Sequence, residues 1–192
     1  METTTLTPRQ EERRRRVIIA ALELGDEGGY DAVQMREVSA AAEVALGTIY
    51  RYFSSKDHLL AAAMAEWTGA LEERLARSPA RGEALSDRMV NLLRRAWRAM
   101  EKSPLLSAAL VRALSSSDPG VAEAADEVTE RFGLMVKSVL EGVDPAAQDD
   151  IVAVLGHVWH SALVSWVNGR ITIEEVGAEL ERAARLLLDP YG

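Results

Sequence analysis

The 192-residue chain has no cysteine. That excludes a disulfide scaffold, a thiolate zinc site, an iron–sulfur cluster and a cysteine nucleophile together. Histidine is scarce, at three residues. Excess positive charge is also missing: 22 Lys and Arg stand against 30 Asp and Glu, a net charge of −8. A protein that coats nucleic acid with bulk positive charge is thereby excluded, whereas one that reads DNA through a small local patch is not. No run of roughly eighteen apolar residues occurs, so no membrane-spanning helix is expected. Arg13–Arg16 followed by Val17–Leu22 imitates a secretory leader, but the apolar run stops at Glu23. No small-residue cleavage site follows it, and the stretch reads better as an amphipathic helix. A cytoplasmic protein with no membrane partner is expected.

Alternating Val/Ile/Thr runs are absent as well. What is present is helical periodicity from end to end, in a chain that is 48% hydrophobic and 27% charged. Ala, Leu, Glu and Arg dominate, all good helix formers. Thr7, Pro8 and Gln10 form a capping box with proline in the first turn, and Gly28 and Gly29 stop that helix. Two short helices follow, near 34–42 and 45–53. Ser54 and Ser55 are capping candidates for a longer fourth. Pro79 with Gly82, then Pro104, Asp118–Pro119, Asp144–Pro145 and Thr172 divide the remainder into five more. The expected fold is all-α with nine helices. Residues 1–56 hold eight Arg/Lys and nine Asp/Glu, so the acidic excess belongs to the later helices.

Met35–Phe53 has the spacing of a helix-turn-helix. Met35, Val38, Ala41 and Ala42 are expected to face inward. At 100° per residue, Leu46, Ile49, Tyr50 and Phe53 fall on one side of the next helix. Gly47, Thr48, Arg51 and Tyr52 fall on the other, with no carboxylate among them. Such a face can enter a major groove without repelling phosphates. The plainer reading is a solvated face that happens to lack acid, although exposed faces elsewhere in the chain are acid-rich. Lys56 opens the fourth helix, where a cation opposes the helix dipole. A bound phosphate would relieve that conflict, and a solvated lysine is the plainer reading. Arg13–Arg16 fit a DNA-backbone contact and a solvated charge run equally well.

Gly29-Tyr30-Asp31-Ala32-Val33-Gln34-Met35-Arg36 and Val44-Ala45-Leu46-Gly47-Thr48-Ile49-Tyr50-Arg51-Tyr52-Phe53-Ser54-Ser55-Lys56 together resemble the DNA-binding signature of the TetR family of transcriptional regulators. Within that family, the two runs are similar to those of repressors of sterol catabolism genes. Ser103–Leu106, Val158–Ser161 with Trp166, and Arg185–Leu188 share that similarity. The resemblance implies a helix-turn-helix domain over 1–54 and an effector-binding and dimerisation domain over 55–192. It implies DNA contacts from Gln34, Arg36, Gly47, Thr48, Tyr50, Arg51, Tyr52 and Lys56, on double-stranded palindromic operator DNA. Gln34, Glu43 and Ala45 depart from the common pattern of Ser or Thr, Gly and Ser. The operator sequence therefore does not carry over. Gln34 is expected to help cap the second helix while donating to a phosphate.

The resemblance also implies a small hydrophobic effector held among helices four to eight. The apolar stripes offer Met64, Trp67, Leu71, Met89, Leu92, Leu93, Trp97, Leu106, Leu110, Phe132, Met135, Trp159, Leu163 and Trp166 for it. Taken singly, most of these read as plain core. A sterol-derived ligand or its coenzyme A thioester is expected; a fatty acyl thioester or a drug is the alternative. A homodimer is implied through the last two helices. Ile151, Leu155, Val158, Ala162, Val176, Leu180, Ala184 and Leu187 are expected at its interface, since a helix apolar nearly all round needs two partners. His157 and His160 lack further ligands for a metal, so a contact to the partner or the effector is expected instead. Ser161 lacks a nucleophile elbow and an orienting acid. No cofactor, no metal and no enzyme activity are expected; an all-helical enzyme or scaffold without DNA binding is the alternative of a different class.

Overall fold

The computed structural model describes residues 6–191. Among them are nine α-helices and no strand: α1 Pro8–Ala32, α2 Met35–Ala42, α3 Leu46–Tyr52, α4 Lys56–Ala76, α5 Leu85–Glu101, α6 Pro104–Leu114, α7 Pro119–Lys137, α8 Pro145–Val167 and α9 Ile173–Leu188. A 3-10 turn at Asp189–Tyr191 follows α9.

The helix ends follow local chemistry. The backbone N–H of Thr7 donates to Gln10 Oε1 at 2.8 Å. Asp144 accepts from the N–H groups of Ala146 and Ala147. Thr172 and Glu175 bond each other's backbone N–H groups. Each arrangement satisfies N–H groups that a helix start leaves without partners. The glycine stop in α1 takes the form of a kink: Gly29 has φ 67°, and a further turn reaches Ala32. Only glycine adopts that conformation at little cost. α7 ends at Lys137, well before α8 begins at Pro145. Its last bonds tighten to Val139 N–H on Val136 and Leu140 N–H on Lys137, and the chain turns toward Asp144.

Two compact units form. The first comprises 1–64 and 104–125; the second comprises 65–103 and 126–192. In the first, α1 packs on α2, α3 and α6. Its core holds Val17, Ile18, Val38, Ile49 and Phe53, all without exposed surface. Gly25 lets α6 come close, because a Cβ there would stand 2.8 Å from Leu106 Cδ1. In the second unit, α9 lies against both α5 and α8.

One expectation needs correction here. Ala41 is exposed, so α2 buries Val38 and Ala42 while Met35 is half-buried. By length and composition alone, α8 is apolar enough to cross a bilayer, a test that core helices pass as well.

The turn between α2 and α3 is held by Ser39 Oγ, which donates to the Val44 carbonyl at 2.7 Å. Glu43 stands in that turn with φ 53°, among the described residues the only positive φ outside glycine. A side chain in this left-handed region costs about 1 kcal/mol. Glu43→Gly is expected to raise stability by up to about 1 kcal/mol, read as a Tm increase of roughly 2–4 °C by calorimetry.

Candidate nucleic-acid interface

α3 buries a narrow stripe. Ile49 and Phe53 have no exposed surface, and Leu46 is half-buried beside them. Gly47 and Arg51 face solvent, while Thr48 and Tyr52 flank them half-buried. Nothing lies within 4 Å of where a Gly47 Cβ would stand. Tyr50 is 51% exposed, so its placement on the packing side is corrected. The outward surface is therefore Gly47, Tyr50 and Arg51, edged by Thr48 and Tyr52. It holds one cation, two phenols and a hydroxyl, with no carboxylate.

Arg36 is exposed on α2. Gln34 is the N-cap residue of α2, but its side chain makes no cap bond: its Nε2 turns back and donates to the Asp31 carbonyl at 2.8 Å. The expected side-chain cap is thereby corrected: the amide is bonded to the end of α1 instead. In the basic run, Arg13 and Arg15 are exposed. Arg14 instead lies 5.5 Å from the Phe53 ring centroid, a cation over an aromatic face.

Lys56 is engaged within the protein. Its Nζ donates to the Tyr30 carbonyl at 3.0 Å and sits 3.7 Å from the Tyr30 ring centroid. The Arg112 guanidinium of α6 lies 4.0 Å from that ring. The Tyr30 hydroxyl donates to Asp57 Oδ1. Burial of Lys56 lowers its pKa, with Asp31 and Asp57 opposing that effect and Arg112 adding to it. Burial, with the Asp57 hydrogen bond and charge, pushes the Tyr30 phenol up to about 12. The conflict between Lys56 and the α4 dipole is thus met by a carbonyl at the end of α1 and two nearby carboxylates. A phosphate is not required to relieve it, and an ammonium has further donors to offer one. Tyr30, Asp57 and Arg112 were not singled out by sequence. Arg112 joins the cluster across a long stretch of chain, which no local spacing signals.

The second unit holds a cavity of about 570 Å³. Its wall comes from the end of α4 (Glu72, Leu75, Ala76), from Pro79 and Ala80, from Arg88 and Leu92 of α5, from Leu134 and Met135 of α7, and from Ser138, Val139 and Glu141 beyond α7. Of the residues nominated for an effector, Leu92 and Met135 line it. Trp67, Leu71, Met89, Leu93, Trp97, Phe132, Trp159, Leu163 and Trp166 belong to the same unit but not to this wall. Phe132 and Trp159 stack obliquely on each other at 5.6 Å. Met64, Leu106 and Leu110 are buried in the first unit. Glu72 is paired with Arg131 at 3.1 Å.

The expected dimer residues also need correction. Ile151, Leu155, Ala162, Val176, Leu180 and Ala184 are at most 4% exposed in the single chain, so they pack its own core. Val158 and Leu187 are half-buried. The reason is that α9 meets α5 as well as α8. A Cβ on Gly177 would stand 2.7 Å from the Trp97 ring of α5. The outward face of α8 is a different row, with Ala153, Val154, His157, His160 and Ser161 exposed. No charged residue occurs from Ile151 through Gly169. Beside it, Leu186 of α9 is 75% exposed.

An all-helical chain whose first helices form a helix-turn-helix with an acid-free outward face defines a DNA-binding transcriptional regulator. The comparisons agree. Residues 17–63 match the model "Bacterial regulatory proteins, tetR family", and residues 82–187 match "Tetracyclin repressor-like, C-terminal domain". The chain belongs to the TetR family. It is 38% identical over 180 residues to the HTH-type transcriptional repressor KstR of Rhodococcus jostii, covering 93% of this chain and 84% of that protein. With the KstR of Mycobacterium tuberculosis the identity is 36%, covering 93% of this chain and 82% of that protein. A crystal structure of a TetR transcriptional regulator from Rhodococcus sp. RHA1 superposes with a TM-score of 0.82 at 31% identity, covering 94% of this chain and 97% of the other.

Proposed function

We propose that this protein is a cytoplasmic repressor that binds double-stranded palindromic operator DNA as a homodimer. A sterol-derived ligand, or its coenzyme A thioester, releases it, and the genes it controls serve steroid catabolism. The acid-free outward face of α3 carries the DNA-reading part. On that face Arg51, Tyr50 and Tyr52 contact bases and phosphates, and Gly47 admits the DNA backbone closely. Thr48, Arg36, Gln34 and Lys56 add contacts at the edges. Similarity to the KstR repressors over nearly the whole chain supports the steroid part. The cavity supports it by size, since it falls within the usual range of small-molecule sites. Its wall is mixed, with eight apolar residues beside Glu72, Arg88, Ser138 and Glu141.

The effector acts by favouring one of two settings of the dimer, and differential binding of a few kcal/mol suffices. The test starts by selecting duplexes from a random library with the protein. Sterol-derived and fatty acyl coenzyme A thioesters are then titrated against the complex in a mobility-shift assay. Release by the sterol series alone is expected. Release only by the acyl series replaces the sterol assignment, and failure to select any duplex overturns DNA binding. Ser138→Phe projects a ring into the cavity from an exposed position. It is expected to leave operator affinity unchanged and to raise the effector concentration for half-release by about tenfold, a loss of roughly 1.4 kcal/mol in binding.

A further inference from the structure

We propose that His58 is a positioning residue for operator binding: it fastens the corner at the end of the recognition helix α3 to the first turn of α7. This rests on the DNA-reading function proposed above.

Phe53 closes α3 and has no exposed surface. The His58 ring meets it edge-on, with centroids 5.5 Å apart and planes at 81°. His58 Nδ1 accepts the Ser54 backbone N–H at 3.2 Å and lies 3.1 Å from Ser54 Oγ. A backbone N–H can only donate, so Nδ1 carries a lone pair and the ring proton sits on Nε2. Ser54 Oγ donates to Asp118 Oδ1 at 3.3 Å, and the same oxygen accepts the Gly120 N–H of α7 at 2.7 Å. A Cβ on Gly120 would stand 2.5 Å from His58 Nδ1 and 2.7 Å from Ser54 Oγ. The α7 backbone is therefore pressed onto the corner in a way only glycine permits. Toward its other end, the same helix bears Leu134 and Met135 of the cavity wall.

The charged groups around the ring are Arg14 of α1 and, on the α7 side, Asp118 and Glu123. Burial lowers the histidine's pKa below its ordinary value of 6.5; Arg14 adds to this, and the two carboxylates oppose it. A second ring proton, on Nδ1, would face the Ser54 N–H donor to donor, and that bond would be lost, leaving only Ser54 Oγ to accept from the ring. The sign follows: the neutral ring is fully in place above 6.5, and its contribution is lost as pH falls through the lowered value. General electrostatics runs the other way, because acidification neutralises carboxylates and should strengthen phosphate binding.

The experiment measures anisotropy of a library-selected duplex with the full chain, from about pH 8 to about pH 5, for wild type, His58→Asn and His58→Ala. Asparagine places an amide oxygen where Nδ1 stands and does not titrate. Wild-type affinity is expected to fall about tenfold or more on acidification. His58→Asn should bind like wild type at neutral pH without that fall, and His58→Ala should bind weakly throughout. An Asn variant with the wild-type profile, or an Ala variant as tight as wild type, overturns the proposal. The ring nitrogens of labelled protein give a separate reading: the Nε2–H tautomer supports the corner geometry, and the Nδ1–H tautomer overturns it. Failure of wild type to bind any duplex at neutral pH removes the DNA-reading function and the proposal together, whatever the tautomer.

Discussion

Phe53→Ala is expected to destabilise the protein by about 3–5 kcal/mol and to abolish operator binding at concentrations that saturate wild type. The ring has no exposed surface, so the transfer and cavity terms both apply in full. Arg14 at 5.5 Å, Tyr52 at 6.3 Å and His58 at 5.5 Å lose their common neighbour in one step. The loss is a large fraction of a typical domain's total stability. α3 has seven residues, too few to persist as a helix without its packed side. Calorimetry should show Tm falling by roughly 10 °C. Arg51→Ala provides the contrast. Its side chain is exposed, so stability should change by less than about 0.5 kcal/mol while operator affinity falls. Loss of binding in Arg51→Ala with an unchanged Tm assigns the outward face to DNA. A Phe53→Ala protein that melts like wild type would remove Phe53 as the anchor of α3.

The sequence disclosed whatever depends on near neighbours. Thr7 with Gln10, Asp144 and Thr172 with Glu175 mark helix starts because a cap is chemistry over three residues. A helix wheel puts Tyr50 on the packing side because it divides the helix into halves, whereas α3 buries a stripe narrower than half. Tyr50 lies just past its edge. The cluster of Tyr30, Lys56, Asp57 and Arg112 escaped because it joins α1, α4 and α6, and no periodicity reports which helices meet. The cavity escaped for a related reason. Apolar stripes on helices identify what is buried, but they do not distinguish a filled core from a void. Leu92 and Met135 line the void while Met89 and Leu93, one helix turn or less away, fill the core.

The same ambiguity governs the proposed dimer, and the largest effect on assembly follows from resolving it. The double variant Val154→Glu with Ser161→Glu is expected to convert that proposed dimer to a monomer. α8 is apolar on two sides, and the side carrying Leu155 packs within the chain. The other side exposes Val154, His157, His160 and Ser161 in a helix free of charge from Ile151 through Gly169. An exposed helix face without charge is unusual in a chain that is 27% charged, and a second copy would cover it. Across a twofold axis the same patch meets itself, so every added carboxylate is met by another. Burying such like charges costs several kcal/mol, enough to dissociate an ordinary interface. Each isolated subunit would then hold one half-site, and loss of the tethered second contact should weaken operator binding by roughly a hundredfold or more. Sedimentation reads the first effect and anisotropy the second. Leu180→Ala is the control: Leu180 has no exposed surface, so it should lower Tm through a loss of about 2–5 kcal/mol without a charge-driven change in association. A double variant that sediments as the wild type does would place the partner elsewhere on the chain, with Leu186, 75% exposed on α9, as the next position to charge.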